Sequence, residues 1–257
     1  MGRLQQKVAI VTGGGRGIGQ AIVDAFAMEG ARVVIAEIDE ASGTQSAARV
    51  NAGGGMAVFV QTDVTEAQSV EQAAALALDR FGRIDVLVNN AGINVFHAPL
   101  ETSEAEWRRC FAVDLDGVWR MTRAVLPAMR AQRSGAVINI ASSHSFSIIP
   151  HTFPYPVAKH GLLGLTRSLG IEYARENIRV NAIAPGYIET QLAVEYWQSF
   201  ADPEAERRRT YDLHPPGRIG KPQEVAMTAV FLASDEAPFI NASCITIDGG
   251  RSVLYHE

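Results

Sequence analysis

The chain has 257 residues, of which 47% are hydrophobic and 20% charged, enough to bury a sizeable core and too apolar for disorder. Its formal charge of −5 provides no basic footprint for nucleic acid. No apolar run reaches the ~18 residues of a membrane helix, and Met1–Gln6 is short and polar with no signal-peptide pattern, so a cytoplasmic protein without a membrane partner is expected.

Lys7–Thr12 is a short apolar run rich in β-branched residues, the mark of a buried parallel strand. A glycine cluster follows at once: Gly13, Gly14, Gly15, Arg16, Gly17, Ile18, Gly19. Helix 20–30 and a second strand over 32–36 complete a βαβ unit. Glycine lets the backbone turn tightly and approach a diphosphate, and the helix that starts there aims free N–H groups at it. The spacing is Thr-Gly-x-x-x-Gly-x-Gly rather than G-x-G-x-x-G, because position 20 is Gln. A glycine cluster between a strand and a helix reads as a nucleotide site.

Glu37 follows the second strand, placed to bind both hydroxyls of an adenosine ribose and to repel a 2′-phosphate. Arg16 points the other way, but Ile38 offers no second positive partner, so NAD is expected over NADP. A polar helix over 40–51 and a third strand over 56–61 lead to Asp63-Val64. There Asp63 either caps the helix over 66–81 or meets an adenine amino group. A fourth strand over 84–89 ends in Asn90-Ala91-Gly92, where ligands bind in open α/β sheets.

A long helix is predicted over 103–131, capped by Ser103 and kinked or ended by Pro127. Ala136–Ala141 is the fifth strand, with Ser142, Ser143 and His144 at its carboxyl end. Tyr155 and Lys159 then stand four apart at the start of a helix predicted over 155–175, so both can act on one point. Pro156 suits a helix's first turn but disfavours helical geometry before it, which places Tyr155 just ahead of the regular helix. Strands are expected over 178–183 and 245–247. The irregular stretch 185–222, with helices over 189–200 and 203–211, has the length of a functional lid. Cys110 and Cys244 have no metal or redox spacing and read as small buried hydrophobes. The whole chain, 1–257, reads as one α/β domain with a doubly wound parallel sheet of about seven strands.

These residues together resemble the short-chain dehydrogenase/reductase family in its compact form. The motifs are Thr12-Gly13-x-x-x-Gly17-x-Gly19, Asn89-Asn90-Ala91-Gly92, Ser142, Tyr155-x-x-x-Lys159, Asn181, Pro185-Gly186 with Ile188 and Thr190, and Asp248-Gly249-Gly250. The resemblance covers nearly the whole chain. It implies Tyr155 as acid/base, Ser142 as the hydroxyl that holds the substrate oxygen, and Lys159 as the group that binds the nicotinamide ribose and lowers the Tyr155 pKa. It implies Ile188 and Thr190 at the carboxamide and Asn90 and Gly92 at the cofactor ribose, with Ile18, Val64 and Pro185 beside the cofactor. One departure stands out. Where the family has an Asn that holds a water in a proton relay to the lysine, this chain has Asp114, which accepts hydrogen bonds and, if ionised, cannot donate them.

The residues expected around the substrate are Asn94, His97, His144, His151, Tyr187, Glu189 and Trp197, with Trp197 placed to stack on a sugar ring. Arg207–Arg209 are expected as a solvated helix face, with contact to a substrate carboxylate as the alternative. A donor-rich wall suits a polyhydroxylated substrate, and the subgroup most resembled is the bacterial sugar and sugar-acid dehydrogenases. The alternatives are an NADPH-dependent 3-oxoacyl carrier-protein reductase, which the Glu37 reading opposes, and a non-catalytic nucleotide-binding regulator. The resemblance further implies a homotetramer built on the two long helices, although the sequence alone also allows a dimer.

Overall fold

The computed structural model describes residues 2–255. β1 (Val8–Thr12) passes through the glycine turn into α1 (Gly17–Met28), followed by β2 (Arg32–Glu37), α2 (Glu40–Ala52), β3 (Met56–Gln61) and α3 (Ala67–Phe81). Next come β4 (Val86–Asn89), the two-residue β5 (Phe96–His97), α4 (Glu104–Phe111), a π-helical turn at Ala112–Asp116 and α5 (Gly117–Gln132). The second half carries β6 (Gly135–Ile140), β7 (Phe153–Pro154), α6 (Tyr155–Glu172), β8 (Ile178–Pro185), α7 (Gln191–Gln198), α8 (Pro203–Asp212), α9 (Pro222–Ala233) and β9 (Cys244–Ile247).

Seven strands form one parallel sheet in the order β3-β2-β1-β4-β6-β8-β9. The chain winds outward from β1 to β3, returns to β4 on the other side of β1, and winds outward again. Helices α1, α2 and α9 cover one face, while α3, α5 and α6 cover the other. Burial on both faces is why β1, β4 and β6 are apolar almost without alternation. The order reverses between β1 and β4, and a crevice for a ligand opens beyond the carboxyl ends of strands at such a point.

Two asparagines at paired positions of the central strands β4 and β6 interrupt this apolar interior. The Asn89 amide donates to Asn139 Oδ1 at 2.9 Å and to Thr122 Oγ1 at 3.2 Å, and the Asn139 amide donates to Thr166 Oγ1 at 2.9 Å. Both threonine hydroxyls donate back to carbonyls in their own helices, Val118 and Leu162. One buried hydrogen-bonded chain thus runs from α5 through β4 and β6 to α6.

The predicted helix over 103–131 is interrupted, though not where Pro127 suggested. Ser103 caps α4 in a reciprocal capping box with Glu106, and the irregularity falls at Ala112–Asp116. Pro127 lies inside α5, which continues to Gln132 because Val125, Leu126 and Met129 are buried against the sheet. The short antiparallel pair β5–β7 and helix α9 go beyond the predicted elements. Tyr155 is the first residue of α6 rather than the residue before it, and Pro156 takes the next position in the first turn.

Candidate functional site

The glycine turn has the geometry of a phosphate cradle. Gly13 and Gly17 have φ of +63° and +55°, a region open to glycine and strained for other residues. A Cβ on Gly19 would overlap the Gly13 carbonyl. No side chain caps α1 at its N-terminal Arg16, so first-turn N–H groups remain free for an anion. The turn is tied to the neighbouring strand end, because Thr12 Oγ1 accepts from the Asn90 and Ala91 N–H groups at 2.9 and 3.0 Å.

Glu37 is 7% exposed at the end of β2, and its carboxylate accepts from the N–H groups of Gly15, Ile38 and Asp39 at 3.0, 2.9 and 3.1 Å. An anion is therefore held directly beneath the turn. Arg16 is exposed and lies near Asp39, whose carboxyl is held below its ordinary range by the Ser42 hydroxyl and N–H, with Arg16 adding to the effect. Asp63 does not cap α3. Its Oδ1 accepts from the Thr65 N–H and hydroxyl at 2.8 and 2.7 Å, and the helix starts later, at Ala67. Val64 is buried against Gly117, where a Cβ would come within 2.8 Å of it. These features fit the adenosine half of a nicotinamide dinucleotide.

A cavity of about 720 Å³ opens beyond the carboxyl ends of the central strands. It brings together Ile18, Asn90, Gly92, Asp114, Ser142, Tyr155, Lys159, Pro185, Ile188 and Thr190 from the sequence-derived set. Of the expected substrate residues, Asn94, His144, His151 and Tyr187 also line it.

Three expected wall residues lie elsewhere. Trp197 is 5% exposed and turned onto α8, where its indole N–H donates to Thr210 Oγ1 at 3.3 Å. Glu189 is exposed and outside the cavity lining, and its N–H is committed to the Gly220 carbonyl at 2.8 Å. His97 faces α4 and pairs with Glu106 at 2.9 Å. Arg207 and Arg209 likewise pair within their own helix, with Glu204 and Glu206. The wall instead includes Phe96, Thr152, Leu192 and Tyr196. The Phe96 ring meets Tyr155 edge-on at 5.4 Å. No motif marks Phe96; only the β5–β7 pairing, which sets Phe96 opposite Pro154, brings it there.

At the floor of the cavity Lys159 Nζ lies 3.2 Å from both Asp114 Oδ1 and the Ile140 carbonyl, and 5.3 Å from the centre of the Tyr155 ring. The segment after β6 is fixed to α6 by Ser145 Oγ, which donates to the Lys159 carbonyl at 2.9 Å. The Ser142 hydroxyl accepts from the His144 N–H at 3.2 Å and lines the same cavity as the phenol.

Lys159 acts on the Tyr155 pKa in the expected direction, but burial sets the net shift. Burial pushes the phenol above its ordinary value; Lys159 pulls it down, and Asp114 pushes it back up. Burial also raises the Asp114 carboxyl, against the pull of Lys159. For Lys159 burial disfavours the ammonium, yet Asp114, joined by Tyr155 and Cys110, outweighs this and holds it above its ordinary value. His144 is held below its ordinary value by burial and by Arg251.

The chain is similar to known proteins over nearly its whole length. A family profile described as Enoyl-(Acyl carrier protein) reductase matches residues 13–252. The chain is 41% identical over 263 residues to an uncharacterized oxidoreductase of Thermotoga maritima, with 99% of this chain and 100% of that protein covered. A levodione reductase of Leifsonia aquatica is 38% identical over 259 residues, covering 98% and 97%. The solved structure of Thermoplasma acidophilum aldohexose dehydrogenase superposes with a TM-score of 0.90 at 34% identity, covering 99% and 97%.

Proposed function

The chain belongs to the short-chain dehydrogenase/reductase family, and we propose that it is an NAD-dependent dehydrogenase acting on a secondary alcohol or hemiacetal of a sugar or keto-deoxy sugar acid. The observation that carries the reading is the convergence of Ser142, Tyr155 and Lys159 on one cavity beside the glycine turn.

The cofactor, when bound, supplies hydride acceptance or donation. The glycine turn and the free N–H groups of α1 hold its diphosphate, and Glu37 takes the ribose hydroxyls. Asn90, Gly92, Pro185, Ile188 and Thr190 line its nicotinamide half. Tyr155 exchanges a proton with the substrate oxygen, which Ser142 orients by a hydrogen bond. Lys159 anchors the nicotinamide ribose from the cavity floor.

The polar wall of Asn94, His144, His151 and Tyr187 supports a substrate with several hydroxyls, while Phe96 and Leu192 offer apolar surface for the carbon face of a ring. Likeness to an aldohexose dehydrogenase points the same way. The buried Glu37 carboxylate favours NAD and disfavours the NADPH-dependent acyl-reductase alternative. Helices α7 and α8 form the proposed lid. The proposed setting is a cytoplasmic homotetramer joined through the outer faces of α5 and α6, where Trp119 and Val157 are exposed.

The test is nicotinamide absorbance with NAD or NADP and a panel of aldoses, polyols, deoxy-sugar acids and acyl thioesters. Sugar-dependent NAD reduction that is absent in Tyr155→Phe supports the reading. Turnover of acyl thioesters alone, with NADPH, overturns it.

A further inference from the structure

The carboxylate of Asp114 is buried at 0% exposure and meets Lys159, 4% exposed, at 3.2 Å. All its partners are donors. The Ile93 N–H lies 3.3 and 3.4 Å from the two carboxylate oxygens, and the Cys110 thiol donates to Oδ2 at 3.8 Å. A group surrounded by an ammonium, an amide N–H and a thiol is placed to accept only, which is the ionised form. Gly92 leaves room for it, since a Cβ there would come within 2.7 Å of Oδ1.

The groups facing Tyr155 come from several elements. Lys159 belongs to α6, Asp114 to the π-helical turn, Cys110 to α4, and Ser142 and His144 to the segment after β6. Burial pushes the Cys110 thiol up to about 12, and His144 is held below its ordinary value, so both are neutral around and above neutrality. The charges that remain beside the phenol are one positive and one negative, and the carboxylate offsets part of the pull of Lys159.

We infer that Asp114 is a positioning residue that clamps Lys159 and offsets part of its charge at Tyr155, so that alcohol oxidation gains its acid/base group at a higher pH than it would with a neutral side chain at position 114. This rests on Tyr155 acting as the acid/base of the proposed reaction. The role differs from a water-holding relay, because an ionised Asp114 donates no proton to a water chain.

The test is a phenolate titration near 295 nm after rapid pH jumps, which needs no substrate. Subtracting Tyr155→Phe from the wild type isolates Tyr155. The expected midpoint lies above the ordinary value of ~10, and in Asp114→Asn it falls by about one pH unit. A folded Asp114→Asn that titrates with or above the wild type overturns the inference. Cys110→Ala removes a neighbour of Asp114 without changing charge, and its midpoint is expected to stay put. An equal shift in that variant would make packing the cause and overturn the inference. Asp114→Ser, also neutral, is expected to lower the midpoint in the same way and takes the place of Asp114→Asn should that variant fail to fold; a midpoint unchanged from the wild type there overturns the inference. Should Tyr155→Phe retain full turnover, the acid/base reading fails by a separate observation and takes this inference with it.

Discussion

The Asn90 side-chain amide donates to the carbonyls of both Thr12 and Gly13, at 3.1 and 3.0 Å, and so pins the end of β4 to the glycine turn. Asn90→Ala strips two carbonyls of their partners. It is expected to cost about 1–3 kcal/mol of stability and to weaken NAD binding several-fold. Thermal melts with and without NAD would register both effects, and unchanged NAD affinity would show that the turn holds its shape alone.

Glu37→Gln keeps an acceptor beneath the turn but removes its charge. The ratio of kcat/KM with NADP to that with NAD is expected to rise about tenfold, the effect of ~1.4 kcal/mol. A ratio that does not move would place cofactor choice elsewhere, Arg16 being the first candidate.

Tyr155→Phe retains the ring packed against Phe96 and removes only the proton-exchanging oxygen. The expected result is a fall in kcat of about 10²–10⁴-fold with NAD affinity within about twofold of the wild type. Parallel loss of both would instead mean that the phenol is part of the cofactor site.

Trp197 and His151 separate packing from recognition. Trp197→Phe loses the hydrogen bond to Thr210 inside the α7–α8 pair, so the melting temperature should drop while KM stays within about twofold. His151→Ala, on the cavity wall, should raise KM and leave the melting temperature alone. The reverse pattern would mean that α7 rotates in solution to present its indole to the substrate.

Glu224 is held down to about 2 by Arg218 and by the Lys221 N–H. Because its folded pKa is depressed, its contribution to stability is present above the ordinary carboxylate range and lost as pH falls through about 2. Both side chains are about half exposed, at 51% and 41%, so the contribution is small and screened by salt. Glu224→Gln should melt slightly below the wild type at pH 7, with the gap closing as pH falls toward 2. A gap that persists there would assign the effect to helix capping rather than charge.

Much of this was legible because it is local. Strand, glycine turn and helix follow one another in the chain, and Tyr155 and Lys159 lie one helical turn apart. Other features depend on what packs from a distance. The side of α7 that carries Trp197 is decided by α8, which no periodicity within 191–198 reveals. The Ala112–Asp116 turn leaves no compositional mark, since Ala, Val, Asp and Leu all sit comfortably in an ordinary helix. The net direction of the Tyr155 shift depends first on how deeply the phenol is buried and then on the approach of Asp114 to Lys159, residues 45 positions apart that meet only across the packed π-helical turn and α6.

The chain of amides and hydroxyls from Thr122 through Asn89 and Asn139 to Thr166 works as a keyed joint. Sliding β4 against β6 by one residue would turn Asn89 to the face of the sheet opposite Asn139 and strand the polar groups of both in a dry interior. Only one alignment of α5 and α6 over these strands lets the whole chain close. Those helices and the π-helical turn joined to α5 carry Asp114, Tyr155 and Lys159, so the catalytic floor takes its alignment from a lock one layer beneath it, made by residues that never meet the substrate.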